Sequence, residues 1–126
     1  MLAKRKEEIK AGGIDVDEII EMNTKVWVTV HAPMFFKSIQ DCDGVTNDNL
    51  IASLSPSLNR DSVFKSGEGA GQSGSFFFFS HDRKFIIKTM SGTEMSLFLE
   101  ILPDYEIHLK ENPDSLLARI YGVYTI

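Results

Sequence analysis

Glycine and serine lie directly before four consecutive phenylalanines in the segment GEGAGQSGSFFFFSHDRKFIIKTM, residues 67–90. Glycine allows a loop to adopt many backbone conformations, whereas phenylalanine and isoleucine favour extended strands. The apolar runs Phe76–Phe79 and Phe85–Ile87 predict strands over Phe76–Ser80 and Phe85–Thr89, which the short polar sequence HDRK separates. This order predicts a glycine-rich loop followed by a β-hairpin.

The glycines of this segment have a spacing that suits anion binding. Gly69, Gly71 and Gly74 match GxGxxG, a weak signal when it stands alone. Backbone N–H groups of such a loop can approach a polyphosphate closely, and the hydroxyls of Ser73 and Ser75 add donors. A dinucleotide-binding fold would require a helix after the motif, but a strand follows here. A loop that joins two strands over a nucleotide, with a lysine on a later strand, is the arrangement of protein kinases.

Lys88 ends the apolar strand FIIK, and a positive charge at the end of an apolar strand is unexpected unless it has a partner or a function. Each feature also has an ordinary explanation: the glycines fit a flexible connector, and Lys88 fits a first solvated residue beyond a buried strand. The Phe run is better explained as the core of a sheet buried on both faces, because alternate residues of a strand point to opposite sides. Since loop, hairpin and lysine occur in the order of a kinase small lobe, together they favour nucleotide binding.

The first half of the chain predicts supporting elements. Residues 1–25 form a polar extension in which VDEIIEM predicts one or two helical turns, and VWVTVHAP fits either a strand or a helix. Helices are predicted for PMFFKSIQ, with Pro33 in the first turn, and for TNDNLIASLS, capped by Thr46 or Asn47. A polar connector is expected over residues 58–65.

After the hairpin, the sequence predicts one helix and one strand. Apolar residues from Leu97 to Leu102 recur at helical spacing, and Pro103 is expected to kink or restart that helix. SLLARIYGVYTI predicts a final strand that contains Gly122. The hairpin, this helix and the last strand predict half of an open antiparallel sheet with packed helices, an α+β fold.

Composition limits the class of protein. With 126 residues, 43% hydrophobic and 25% charged, the chain is expected to be one small globular domain or part of a larger one. A net charge of −5 argues against a nucleic-acid partner and gives no polybasic membrane patch. Cys42 is the only cysteine, which excludes an internal disulfide and favours a reducing cytoplasm. The polar N-terminus is no signal peptide, and the apolar runs are too short to span a bilayer.

The histidines and the sequence HDR resemble catalytic or metal-binding motifs, but a structural role explains each of them better. His31, His81 and His108 lack metal-ligand spacing and are expected to be surface or packed residues. The HDR of residues 81–83 is not the HRD catalytic loop of kinases, because it precedes the lysine that would contact the nucleotide.

The string GAGQSGSFFFFSHDRKFIIKTMS, followed by E…FL…LP.Y and by NP.SLLARIYGVYTI, resembles the phosphatidylinositol phosphate kinase family. It is most similar to the phosphatidylinositol 4-phosphate 5-kinase branch, and APMFFKSIQDCDGVTNDNLIASLSP resembles the segment before the loop in those enzymes. The similarity covers roughly residues 30–126. It implies a kinase-like small lobe over residues 26–126, ending before the large lobe, in a lipid kinase that phosphorylates an inositol hydroxyl with ATP and Mg²⁺.

The resemblance also implies roles for individual residues. Lys88 would contact the α- and β-phosphates of ATP, and Glu94 would orient Lys88. As an alternative, Ser91 and Glu94 fit an S-x-x-E capping box, which needs no catalytic role. The residues expected to cover the ATP phosphates are Gly69, Gly71, Gln72, Ser73, Gly74 and Ser75. By resemblance, the Mg²⁺ ligands and the loop that selects the lipid head group belong to the large lobe, so this chain alone is expected to be inactive.

Other hypotheses remain open at this point. The chain could be a non-catalytic interaction module derived from such a kinase, or an unrelated small nucleotide-binding domain. The resemblance further implies a phosphatidylinositol phosphate at a membrane surface as the partner, and a cytoplasmic full-length protein that associates peripherally with the plasma membrane. Self-association into a homo-oligomer is expected from the side that would face the large lobe.

Overall fold

The computed structural model describes residues 5–8, 17–23, 26–60 and 76–126, and the side chains of residues 27–60 and 76–126. The chain divides into two compact units, one formed by Met1–Gly44 with Ser96–Ile126 and the other by Val45–Met95. In chain order the elements are β1 (Arg5–Glu8), β2 (Asp17–Asn23), β3 (Val26–His31), α1 (Pro33–Cys42), α2 (Asn47–Ser53), α3 (56–60), β4 (Phe77–Phe79), β5 (Ile86–Lys88), α4 (Gly92–Glu111) and β6 (Val123–Thr125).

The first unit contains an antiparallel sheet with the strand order β1-β2-β3-β6. The helical turns predicted for VDEIIEM are wrong, because β2 pairs with β1 over Asp17–Ile20 and with β3 from Glu18 to Asn23. Ladder hydrogen bonds to two partners outweigh the weak helical pattern of so short a segment. The sequence VWVTVHAP was compatible with a strand or a helix, and the structure shows a strand, β3, over Val26–His31. Together with the helices, the antiparallel sheets confirm the predicted α+β fold.

Helices α1 and α4 supply four of the five buried apolar side chains among the described residues of this unit. Pro33 occupies the first turn of α1 as predicted, since the N–H that proline lacks would have no partner inside the helix there. The Phe36 and Phe98 rings stack with their centroids 6.2 Å apart. The buried core residues are Phe36, Ile39, Leu102, Leu109 and Val123.

Helix α4 continues through Pro103, so of the two predicted alternatives the restart is wrong, and a kink at this residue stays a prediction. The buried stripe of α4 consists of Leu102, Glu106 and Leu109, while Leu97 and Ile101 are exposed. Residues four and seven positions after Leu102 lie on the same face of a helix, which explains this stripe. Glu106 is tolerated there because Lys110 pairs with its carboxylate and the Ser38 hydroxyl donates to it over 2.5 Å.

Polar contacts tie the segment before β6 to α1. The Tyr121 hydroxyl donates to Asp43 Oδ2 over 3.0 Å, and Arg119 Nε lies 3.4 Å from the same oxygen. Burial and the Asp43 carboxylate together raise the pKa of Tyr121 to about 12. Gln40 Nε2 donates to the carbonyl oxygen of Tyr121 over 2.8 Å. These contacts direct the chain into β6 at the edge of the first sheet.

β6 is shorter than predicted and has a different partner. It covers Val123–Thr125, so Gly122 precedes the strand, and it pairs with β3 rather than with the hairpin. His31 lies opposite Val123, and its Nε2 is 2.8 Å from Thr125 Oγ1. The sequence predicted one sheet of the hairpin and the last strand, but the observed pairing joins β6 to a strand about 94 positions earlier in the chain.

The second unit contains α2, α3 and the two-stranded antiparallel sheet β4-β5. Thr46 caps α2 as predicted, because its hydroxyl accepts the Asn49 N–H over 3.2 Å while the Asn49 side chain accepts the Thr46 N–H. The predicted connector over residues 58–65 is wrong for residues 58–60, which are helical, and residues 61–65 lie outside the described part.

Truncation of Leu102 tests the apolar core of the first unit. Leu102 is 1% exposed, and we expect Leu102→Ala to lower the free energy of unfolding by about 2–5 kcal/mol because it leaves a cavity. The control Leu97→Ala makes the same chemical change on the same helix at a residue 61% exposed, and should shift stability by about 0.5 kcal/mol or less. Urea unfolding followed by circular dichroism measures both values, and equal losses would contradict this assignment of the core.

Candidate functional site

The predicted β-hairpin is confirmed, with Lys88 on its second strand. β4 and β5 pair antiparallel, with Phe77 opposite Lys88 and Phe79 opposite Ile86. Residues directly opposite each other share one face of a sheet, and so do residues two apart on a strand. Phe77, Phe79, Ile86 and Lys88 therefore lie on one side, here called the hairpin face. Its two aromatic rings meet edge to face with centroids 6.2 Å apart.

The hairpin face is open to solvent. Phe77 is 39% exposed, Phe79 48% and Ile86 61%, and Lys88 is also exposed. The interpretation of the Phe run as a core buried on both faces is therefore wrong for this side of the sheet. Phe78 and Ile87, on the opposite side, are half-buried. The hairpin face is therefore an exposed apolar surface of Phe77, Phe79 and Ile86, with the cation Lys88 at one end.

The strand ends connect this surface to the glycine-rich loop through the chain. Phe76 directly follows Ser75, the last residue of the predicted phosphate-binding loop. The Thr89 N–H donates to the Phe76 carbonyl oxygen over 2.9 Å, and the Phe76 N–H donates to Thr89 Oγ1 over 3.0 Å. The loop residues Gly69, Gly71, Gln72, Ser73, Gly74 and Ser75 lie outside the described residues, and their role stays a prediction.

Glu94 forms the capping box that begins α4. Its carboxylate accepts the Ser91 N–H over 2.7 Å, and the Ser91 hydroxyl accepts the Glu94 N–H over 3.2 Å. These bonds lower the pKa of Glu94, the Ser91 N–H being the largest cause and the charge of Lys88 the weakest. Among the described side chains no ion pair joins Glu94 to Lys88. The capping function is thus visible, and orientation of Lys88 by Glu94 stays a prediction.

Buried polar residues of α2, α3 and the turn between β4 and β5 meet at that turn, and the sequence did not single them out. Ser53, Asn59 and Ser80 are each at least 96% buried. Asp82 in the turn accepts hydrogen bonds from the Ser53 and Ser80 hydroxyls, and these bonds hold its pKa well below the ordinary range. These four residues are called the turn cluster below. The only sequence signal was the polar sequence SHDRK between two apolar runs, which is also typical of a solvated turn.

Each of the three histidines lies within hydrogen-bond distance of a protein oxygen atom. His31 is buried against Thr125, His81 Nε2 lies 3.0 Å from the Ala52 carbonyl oxygen, and His108 Nε2 lies 2.8 Å from Ser115 Oγ. Across residues 27–60 and 76–126, no three acidic, histidine or cysteine side chains group to hold a metal ion. None of the helices in the described ranges has the length and apolar character needed to cross a membrane.

Comparison with known proteins decides the family. A family model described as phosphatidylinositol-4-phosphate 5-kinase matches residues 58–126, more than half of the chain. The chain is 39% identical over 97 residues to a probable phosphatidylinositol phosphate kinase of Dictyostelium discoideum, an overlap that covers 76% of this chain. The chain belongs to the phosphatidylinositol phosphate kinase family.

Other members of the phosphatidylinositol phosphate kinase family are similar over much the same region. A phosphatidylinositol 4-phosphate 5-kinase of Plasmodium falciparum is 36% identical over 109 residues, or 81% of this chain. The type-1 alpha phosphatidylinositol 4-phosphate 5-kinase of Rattus norvegicus is 34% identical over 96 residues, or 76% of this chain. The chain spans only 14%, 6% and 17% of the Dictyostelium, Plasmodium and rat proteins, respectively.

The pKa of Glu94 distinguishes between capping of α4 and orientation of Lys88 as the role of its carboxylate. We expect NMR titration to give a pKa below 4.5, since Ser91 bonds favour the ionised form. Ser91→Ala should raise this pKa more than Lys88→Met does, because Lys88 is the weakest cause. The stabilisation from ionised Glu94 is present above the unfolded-state pKa and is lost as pH falls through the folded-state pKa. A larger rise in Lys88→Met would instead make Lys88 the main partner of Glu94.

Proposed function

We propose that this chain supplies the ATP-binding part of a phosphatidylinositol phosphate kinase, with Lys88 as the contact to the phosphates. The observation that carries the proposal is the hairpin face, where an exposed lysine ends a surface of Phe77, Phe79 and Ile86. A nucleotide joins a flat apolar base to a strongly anionic polyphosphate. A face that combines aromatic surface with a cation is complementary to both parts of such a ligand.

Position on a strand makes Lys88 suited to phosphoryl transfer. The backbone of β5 is fixed by its pairing with β4, so the ammonium group starts from a defined point on the sheet. A fixed cation beside the α- and β-phosphates lowers the electrostatic cost of transferring the γ-phosphoryl group. The bonds between Phe76 and Thr89 support the predicted place of the glycine loop, because Phe76 follows that loop and Thr89 follows Lys88.

The acceptor in this proposal is an inositol hydroxyl of a phosphatidylinositol phosphate. Support comes from the names of the relatives, several of which are phosphatidylinositol 4-phosphate 5-kinases. Because the chain spans 14% or less of two of the three relatives compared above, we assign Mg²⁺ binding, proton removal from the hydroxyl and lipid contact to other parts of a longer protein. No lipid phosphorylation by this chain alone is expected, and product formed from phosphatidylinositol 4-phosphate vesicles and labelled ATP would contradict that. Plasma-membrane recruitment of the full-length protein stays a prediction.

Titration of the chain with ATP tests the proposed contact. In ¹⁵N-labelled protein we expect ATP to shift the amide signals of the hairpin, and Lys88→Met to weaken the affinity at least about tenfold, since a charge-assisted contact to phosphate is lost. The control Lys37→Met removes a cation from α1, where Lys37 pairs with Asp41 on the exposed surface, and should leave the affinity unchanged. Equal weakening by the two substitutions would indicate a non-specific charge effect and contradict the proposal.

A further inference from the structure

The hairpin that carries Lys88 is short, and its apolar pattern does not determine its register. β4 and β5 contain three residues each. Positions 76–79 are all phenylalanine, so a slip of one residue that brings Phe76 into the paired segment again puts a Phe at each position of β4. Such a slip nevertheless exchanges the two faces of the partner strand. It would move Lys88 from the side of Phe77 to the opposite side of the sheet.

The hydrogen bonds of the turn cluster can fix the register that the strand sequences leave undetermined. Asp82 Oδ2 accepts the Ser53 hydroxyl over 2.6 Å, and its Oδ1 accepts the Ser80 hydroxyl over 2.7 Å and the Lys84 N–H over 3.2 Å. The Ser80 hydroxyl oxygen in turn accepts a hydrogen bond from the Phe85 N–H over 3.0 Å. One carboxylate thereby connects α2 to both ends of the turn.

Asn59 adds a second tether between the turn and the helices. Its Oδ1 accepts the His81 N–H over 2.8 Å, and its Nδ2 donates to the carbonyl oxygens of Ser53 and Ser55 over 2.9 and 2.7 Å. All these groups belong to the second unit. Because buried polar groups are costly unless they are bonded, any rearrangement of the turn would leave several of them without partners.

The backbone of the turn includes a left-handed residue that its hydrogen bonds hold in place. Arg83 has φ 58°, in the left-handed region that is unfavourable for residues other than glycine. Its N–H donates to the Ser80 carbonyl oxygen over 2.8 Å, and the Ser80 N–H donates to the Phe85 carbonyl oxygen over the same distance. An unfavourable conformation of this kind persists where the surrounding contacts enforce it.

We infer that Asp82 is a positioning residue that sets the register of β4 against β5 and so determines the face on which Lys88 lies. Asp82 acts through the turn and does not itself contact the nucleotide. Its importance for ATP rests on the proposed function of Lys88, whereas its control of the register does not. The two parts can therefore fail separately.

The register is measured by NMR on the full 126-residue chain. Phe76 and Thr89 form a hydrogen-bonded pair. Because hydrogen-bonded and non-hydrogen-bonded pairs alternate along an antiparallel ladder, the next pair, Phe77 and Lys88, is non-hydrogen-bonded. The Hα protons of such a pair are close enough for a strong cross-strand NOE. We expect Asp82→Ala to abolish this NOE or to replace it by one from Phe77 to a neighbour of Lys88. Asp104→Ala, at an exposed aspartate of α4, is the matched control and should keep it. An NOE of unchanged intensity in Asp82→Ala would overturn the inference.

Two milder variants and an ATP titration complete the test. Asp82→Asn keeps the shape of the side chain, and Ser53→Ala removes a single donor, so both should weaken the NOE less than Asp82→Ala does and remain informative if Asp82→Ala does not fold. We expect Asp82→Ala to lower ATP affinity at least about tenfold and Asp82→Asn to recover part of it. Loss of the NOE with unchanged ATP affinity would overturn the positioning role. Absence of ATP binding by the unsubstituted chain would refute the proposed function and leave the NOE to decide the register.

Discussion

The pairing of Phe77 with Lys88 is the constraint on which the candidate site depends. A two-stranded sheet with three residues in each strand has few ladder bonds of its own, and isolated hairpins of this size are marginal in water. The turn cluster compensates with charge-assisted bonds to Asp82, which are stronger than bonds between neutral groups. The side of the sheet that presents a cation is thus determined several residues away from that cation.

The two units are stabilised in different ways. The first unit buries apolar side chains of α1 and α4, such as Ile39 and Leu102, and uses polar contacts at its margin. In the second unit the most deeply buried described side chains are small and polar, among them Ser53 and Ser80. Hydrogen bonds are directional, whereas apolar burial is not, so a polar interior fixes orientation at the expense of net stability. A polar interior therefore suits a hairpin whose proposed function depends on the face of the sheet on which Lys88 lies.

Local signals in the sequence predicted the parts of the fold that local chemistry determines. Pro33 and Thr46 marked the starts of α1 and α2, and the polar turn between two apolar runs marked the hairpin. The partner of β6 could not be predicted, because its pairing with β3 joins distant parts of the chain. The exposure of Phe77 and Phe79 was missed for a similar reason, since burial depends on what covers a face and not on the strand alone.

The candidate site was predicted in part. Lys88 was singled out because a charge ends the apolar strand FIIK, whereas the Phe run was interpreted as buried core and its exposed surface was missed. The S-x-x-E pattern identified the capping box of Glu94. Asp82 was missed because an aspartate in a polar turn has the same sequence appearance whether solvent or a buried serine meets its carboxylate. The glycine loop stays a prediction, supported by the family and by the hydrogen bonds of Phe76, the residue that follows it.

Chemical labelling with an acyl-phosphate derivative of ATP tests most directly whether Lys88 lies beside bound phosphates. A lysine amine near the nucleotide attacks the acyl carbon, the acyl group is transferred to that amine, and ATP leaves. Mass spectrometry of the digested chain should find the peptide that contains Lys88 labelled above the other lysines, with the labelling suppressed by excess ATP. Uniform labelling of all exposed lysines, or labelling of Lys88 that ATP does not suppress, would contradict the account.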